Sequence, residues 1–146
     1  MEDFRTFIYV KCLDFSIRIV KLYSYLTETK REYVFSKQLL RCGTSIGANL
    51  AEAQYGISKK DFLSKTYISL KEAAETMYWL EILRRADYLT ENVFQSMMKD
   101  CEELKKLFMS ITKTTRRNLN SQLNAAAKKS PVPNNDPLTP NSTPNS

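Results

Sequence analysis

Apolar residues recur at alternating steps of three and four along most of the chain, which is the spacing of one face of an α-helix. These patterns predict helices over 3–27, 37–54 and 59–86, and a fourth helix from about residue 91 to Gln122. The three glycines lie at residues 43, 47 and 56, and all five prolines lie after residue 130, so neither breaker interrupts the long patterned stretches. Long helices with short connections predict an all-α, antiparallel up-down-up-down four-helix bundle.

Residue types at the helix starts and at the C-terminal end complete the domain prediction. Ser36, Ser58 and Thr90 are predicted N-caps, because a side-chain oxygen there can accept a backbone N–H of the first turn. The last part of the chain is rich in Pro, Asn and Ser and has too few apolar residues to form a core. We therefore expect one bundle domain over 1–125 and a disordered tail over 126–146.

The first predicted helix carries two apolar stripes on nearly opposite sides. One has the spacing of a core-facing stripe and comprises Phe4, Ile8, Cys12, Phe15, Ile19, Leu22 and Leu26. The other comprises Val10, Leu13, Ile17 and Val20. A surface helix of a monomer needs only one such stripe. The second stripe is therefore either covered within the bundle or is the contact surface for another subunit, since exposed apolar patches mark interfaces.

The second predicted helix has a line of polar residues beside its apolar face. Ser45, Asn49 and Glu52 follow one another at helical steps, with Arg41 one turn earlier. Polar groups beside a core must be hydrogen-bonded to be tolerated. We expect Ser45, Asn49 and Glu52 to form a structural network, with Arg41 or a Lys of the third helix as the partner, that fixes the helix register. A ligand site is the alternative interpretation of the same line.

Positive charge is concentrated near the end of the fourth helix. The net charge is +6, and seven Lys and Arg residues lie between Leu104 and Asn135 with no acidic residue among them. On a helical wheel, five of them share one side of the helix, away from its apolar stripe: Lys105, Lys106, Lys113, Arg116 and Arg117. This face is either simply solvated, with its cations favoured near a helix C-terminus, or it contacts nucleic-acid phosphates. No aromatic residue accompanies the cations on this face, so base stacking is not indicated.

The residues needed for most kinds of catalysis are missing. The chain contains no His, which excludes Ser-His and Cys-His nucleophiles and His metal ligands, and it has no Gly-rich phosphate-binding loop. Its three cysteines lie on or beside apolar stripes and are expected to be unreactive. Glu72 and Glu75 are one turn apart and are expected to be either solvated or ion-paired with Lys or Arg. We therefore expect no enzymatic activity, no metal, no cofactor and no small-molecule substrate.

The cysteine count and the start of the chain predict the compartment. Three cysteines are an odd number, no CxxC pair is present, and the acidic N-terminus has no signal-like pattern. These features favour free thiols in a reducing cytoplasm. No apolar run approaches the ~18 residues that a membrane span requires, so no membrane partner is expected.

Several motifs together resemble a known family. They are Glu32-Tyr-x-Phe-Ser-x-Gln-Leu-x-Arg41, Ser45-Ile-x-x-Asn49-x-x-Glu52, Ser58-Lys-Lys-Asp-Phe62 and Ser69-Leu-Lys-Glu-Ala-x-Glu-Thr-x-Tyr-Trp-Leu80, within residues 4–112. They resemble the bacterial four-helix bundle proteins encoded in intervening sequences of large-subunit ribosomal RNA genes, to which accessory proteins of diversity-generating retroelements are distantly related. The resemblance implies a four-helix bundle that assembles as a homopentameric ring and has no catalytic residues. The retroelement relatives associate with reverse transcriptase and RNA.

Two functions remain as hypotheses. The leading one is a cytoplasmic, oligomeric, non-enzymatic bundle that binds RNA or a ribonucleoprotein through the five cations of the fourth helix. The alternative is a protein-interaction or structural ring without a nucleic-acid role, whose contact surface is the second stripe of the first helix. The first predicts binding that weakens steeply with salt, and both predict self-association.

Overall fold

Four helices make up the part of the protein that the computed structural model describes, residues 3–131. They are α1 (Phe4–Glu28), α2 (Phe35–Ala53), α3 (Lys59–Arg85) and α4 (Glu91–Lys129). Each helix packs against the next along the chain, and α4 returns to contact α1, although this last pair has the sparsest packing. The predicted all-α four-helix bundle is confirmed. From residue 132 onwards, the tail predicted to be disordered over 126–146 lies outside the described residues, whereas residues 126–129 of that tail are helical and belong to α4.

The core lies along the inward faces of all four helices. Its largest fully buried aliphatic and aromatic side chains are Ile8, Ile19, Leu26, Leu39, Ile46, Leu80, Leu83 and Phe108. The core stripe predicted for the first helix is buried from Ile8 to Leu26, whereas Phe4 is exposed. Gly43 lets α2 approach α1 closely, because a Cβ at this position would lie 2.8 Å from Ile19 Cγ1.

The N-terminus of α2 is capped by Glu32, not by Ser36. The Glu32 carboxylate accepts the backbone N–H groups of Val34 and Phe35, each at 2.9 Å, and of Ser36 at 2.6 Å. Burial alone would raise the pKa of Glu32, but these N–H donors outweigh burial and hold the pKa below its ordinary value. The predicted N-cap role of Ser36 is wrong, because Ser36 lies inside the first turn and its hydroxyl donates to the Glu32 carbonyl oxygen at 2.8 Å.

The other two predicted N-caps are confirmed. The Ser58 hydroxyl accepts the Asp61 N–H at 3.1 Å, and the Thr90 hydroxyl accepts the Val93 N–H at 3.3 Å. These caps fix where α3 and α4 begin.

The predicted end of α4 is wrong, since the helix continues past Gln122 to Lys129. Its last turns contain three consecutive Ala residues and two Lys residues, which are strong helix formers, and the cations are favourable at the C-terminus. With 39 residues α4 is about 58 Å long, whereas the next longest helix has 27 residues. Its C-terminal part therefore projects beyond the bundle, and from Arg116 onwards every residue except Leu119 is exposed.

Candidate nucleic-acid interface and self-association surface

The five predicted phosphate contacts lie on one side of α4. Lys106, Lys113 and Arg117 are exposed, and Lys105 is half-buried near the seam with α3. Arg116 is exposed as well, and its guanidinium carbon lies 5.0 Å from the centroid of the Tyr67 ring on α3. Within residues 3–131, none of the five forms an ion pair. These cations therefore have no anionic partner in the described part of the protein.

Helix α3 adds cations to the same side of the bundle. The thiol of Cys101 donates to the Ala73 carbonyl oxygen at 3.3 Å, which, with the Arg116–Tyr67 contact, sets the antiparallel register of α3 and α4. This register places Lys71 level with Lys105 and Lys106, and Lys60 level with Arg117. Lys60 and Lys71 are exposed and, like the α4 cations, have no ion pair among the described residues.

We call the seven cations on this side the basic band: Lys60, Lys71, Lys105, Lys106, Lys113, Arg116 and Arg117. The α4 members were found from the sequence, because they are close together along one helix. The α3 members were missed, because a wheel of one helix contains no information on which neighbour lies beside it. Glu102 is an exposed acidic residue one turn before Lys106, and Glu103 bounds the acid-free stretch at its N-terminal end.

Ion pairs occupy the opposite edge of α4, where it faces α1. Lys11 pairs with Glu103 at 2.6 Å, and Arg18 pairs with Asp100 and donates to the Ser96 hydroxyl. Exposed pairs of this kind contribute little to stability, because solvent screens their attraction. Their importance here is that they neutralise the α1 side and leave the α3 side of α4 positive.

The polar line of α2 contacts α3 at its two ends. Arg41 pairs with Glu75 and lies 3.5 Å from a Glu72 carboxylate oxygen, while Glu52 accepts from the Lys65 ammonium at 2.6 Å. Between them, the Ser45 hydroxyl donates to the Arg41 carbonyl at 2.6 Å and the Asn49 amide donates to the Ser45 carbonyl at 2.8 Å. The structure thus brings Arg41 and Glu52 to α3, whereas Ser45 and Asn49 bond within their own helix.

Glu72 and Glu75 share Arg41 and form the most acidic cluster near the core. One carboxylate oxygen of Glu72 is buried without a hydrogen-bond partner among the described residues. Burial raises the pKa of Glu72, Arg41 opposes this effect and the Glu75 charge adds to it. The Trp79 indole N–H donates to Glu75 at 3.2 Å. In residues 3–131 no group of three or more His, Cys, Asp or Glu side chains could hold a metal ion.

The three thiols are buried, as expected. Burial raises the pKa of Cys12 to about 12, that of Cys42 to about 11 and that of Cys101 to about 12. At neutral pH they are therefore protonated and poor nucleophiles, because the thiolate is the reactive form.

The second apolar stripe of α1 faces outward. The side chains of Val10, Leu13, Ile17 and Val20 are 41–48% exposed, so no helix in the described part of the chain covers them. Beside the stripe, a groove of about 190 Å³ separates α1 from the small residues Gly47, Ala48 and Ala51 of α2. The interpretation that the stripe is covered within this bundle does not agree with these exposures. No helix among residues 3–131 is long and apolar enough to cross a membrane.

Comparison with known proteins identifies the family. Residues 5–110 match the family described as 23S rRNA-intervening sequence protein. The chain belongs to this family. It is similar to a protein of unknown function from the S23 ribosomal protein family of Bacteroides thetaiotaomicron, whose crystal structure was determined at 1.70 Å resolution. The two are 48% identical with a TM-score of 0.74, over 75% of this chain and 97% of that one. Among curated proteins, none matches.

The residues that match the family contain only part of the candidate interface of this intervening sequence protein. Lys60, Lys71, Lys105 and Lys106 lie within the matched residues, whereas the other three α4 cations follow residue 110. The outward stripe of α1 lies wholly inside the match. Neither the family description nor that of the similar structure names an enzymatic activity.

Proposed function

We propose that this intervening sequence protein is a non-enzymatic, self-associating helical bundle that binds RNA, alone or in a ribonucleoprotein, through Lys105, Lys106, Lys113, Arg116 and Arg117. The observation that carries the proposal is that these five cations share one side of α4 without an ion pair among the described residues. The buried, protonated thiols are consistent with a reducing cytoplasm as its location.

Electrostatics explains why this surface suits RNA. A phosphate backbone holds condensed counterions. Each Lys or Arg that binds a phosphate displaces a counterion into solution, and this release drives binding at low salt. The cations of α4 are held at fixed spacing by a rigid helix, so little conformational freedom is lost on binding.

The test is a binding assay on structured RNA in which salt is titrated. Replacement of the five α4 cations by Gln should abolish the RNA binding that the wild type shows. The unfolding transition should stay unchanged, because the side chains are on the surface. Binding that survives the loss of all five charges, or that does not depend on salt, would contradict the proposal.

Self-association is supported by a separate observation, the exposure of four consecutive stripe residues on α1. Solvent-exposed apolar patches of this kind mark contacts between proteins. A ring of five copies is the assembly that the family resemblance implies, and a ring without any RNA role is the second candidate function.

Light scattering tests the proposed self-association. The wild-type protein should be oligomeric, and Ile17→Asp should dissociate it, because a carboxylate would be buried in an apolar contact without a partner. Ile57→Asp is the matched control, since Ile57 is 98% exposed in the connection between α2 and α3. A monomeric wild type would rule out self-association.

A further inference from the structure

We infer that the basic band takes an unpaired RNA strand and that Tyr78 on α3 is a stacking surface for one of its bases. This inference rests on the proposed function and adds the kind of RNA that is bound. It also assigns a binding residue on a helix where the sequence indicated none.

The Tyr78 ring is exposed but held in place from behind. Its side chain is 60% exposed, and the ring packs edge-on against Trp79, with centroids 5.3 Å apart and an interplanar angle of 68°. Trp79 is itself fixed, since its indole N–H bonds Glu75 and its ring stacks on Phe35 at 5.9 Å. A supported aromatic ring that faces solvent can receive another flat ring at little cost in conformational freedom.

Tyr78 continues the α3 row of the basic band. Lys60, Lys71 and Tyr78 are separated by 11 and 7 residues, which are close to whole numbers of helical turns, so they share one side of α3. The row is about 27 Å long at 1.5 Å per residue. The α4 row of Lys106, Lys113 and Arg117 lies level with its Lys60–Lys71 part, and Tyr78 lies about 10 Å beyond Lys71 along α3. Tyr67 also lies along this seam, but Arg116 covers its ring.

The combination of cations and an exposed aromatic ring favours a single strand over a duplex. In a duplex the base faces are stacked inside, so the cations would act on phosphates and the tyrosine would contribute nothing. Proteins that bind single strands pair a positively charged track with aromatic rings on which bases stack. The positive charge of the band favours a polyanion as the partner. The exposed ring of Tyr78 favours a polyanion whose bases are accessible.

The single tryptophan of the chain makes stacking directly observable. We would titrate the full-length protein with a short oligoadenylate and with a blunt RNA duplex of equal length, following Trp79 fluorescence and the anisotropy of labelled RNA. The oligoadenylate should change Trp79 emission saturably, because a base stacked on Tyr78 lies beside the indole. The duplex should bind, if at all, without this change.

Substitutions at Tyr78 separate stacking from charge. Tyr78→Leu keeps an apolar contact with Trp79 but has no aromatic face, and it should weaken oligoadenylate binding about fivefold or more. Tyr78→Phe should bind like the wild type. Tyr25→Ala is the matched control, since Tyr25 is a partly exposed tyrosine on α1 and not on α3 or α4, and it should have no effect.

The outcomes distinguish this inference from the proposed function. If Tyr78→Leu binds oligoadenylate like the wild type, the stacking role is wrong, while loss of binding in the five-charge variant would still support RNA binding. If Tyr78→Leu changes the oligomeric mass, Tyr78 is a subunit contact and the inference is also wrong. A wild type that binds neither RNA would overturn both.

Discussion

Helices α1 and α4 flank the same bundle, yet their outward surfaces have opposite chemistry. The outward face of α1 is apolar and carries Val10, Leu13, Ile17 and Val20. The α3 side of α4 instead carries cations that form no ion pair among residues 3–131. Both helices bury an ordinary apolar stripe, so the core does not cause the difference. An apolar surface is stabilised by contact with another protein surface, and a cationic one by contact with a polyanion. Under the proposed function, assembly and RNA binding would therefore use different helices of one small fold.

The largest expected effect is a difference in folding stability between substitutions in the two apolar stripes of α1. Ile19 is fully buried and Ile17 is 47% exposed, although they are two residues apart. Ile19→Ala should lower the free energy of unfolding by about 2–5 kcal/mol, because it leaves a cavity in the core. Ile17→Ala should change the unfolding of the isolated chain little and instead weaken self-association. Denaturant titration and light scattering on both variants measure this contrast, and equal losses of folding stability would contradict it.

A charge-reversal pair tests whether RNA distinguishes α4 from α1. Lys106→Glu should weaken RNA binding about tenfold or more, since it removes a charged contact and adds a repulsion. Lys21→Glu changes the net charge equally, but Lys21 lies on α1, so its effect should be much smaller. Fluorescence anisotropy at one fixed salt concentration measures both. Equal losses would mean that only the total charge matters.

A smaller effect is expected at the connection that joins α1 to α2. The pKa of Glu32 is held below its ordinary value of 4.5, so its contribution to stability is present above that pH and is lost as the pH falls through the folded-state pKa. Glu32→Gln should cost about 1 kcal/mol at neutral pH and should flatten the acid side of the stability profile. Thermal unfolding as a function of pH measures this, and an unchanged profile would show that the cap does not titrate.

The smallest effect concerns the projecting end of α4. Removal of residues 124–146 should change the unfolding free energy by less than about 0.5 kcal/mol, because residues 124–131 are exposed. RNA affinity should fall only modestly, through the loss of Lys128 and Lys129. A large loss of folding stability would show that the removed segment contacts the bundle.

Periodicity was sufficient to predict the bundle, because each long helix buries one stripe at regular steps. It was not sufficient for α2, whose N-terminus is capped by a carboxylate that precedes the helix. The turn depends on Arg31 at φ 53°, a left-handed conformation that the absence of glycine there did not suggest. The end of α4 lies beyond the reach of this pattern, because the residues after Gln122 are helical but exposed and bury no stripe.

The candidate site was predictable only where it lies on one helix. Lys105 to Arg117 share a side of α4 and could be found on a wheel, and Val10 to Val20 could be found in the same way on α1. Lys60 and Lys71 belong to the basic band only because α3 packs beside α4 in one register. That register depends on contacts between residues far apart in the chain, such as Cys101 with Ala73. A single-helix pattern cannot contain this information.

The most direct test of RNA binding by α4 is the salt dependence of two variants with equal net charge. One carries Lys106→Gln, Lys113→Gln and Arg117→Gln on α4, and the other carries Lys21→Gln, Lys30→Gln and Lys37→Gln on other parts of the bundle. With a single-stranded RNA, the slope of log affinity against log salt should become shallower by about 2 for the α4 variant, about 0.7 for each lost phosphate contact. It should stay unchanged for the other variant. Equal slopes for the two variants would contradict RNA binding by this face.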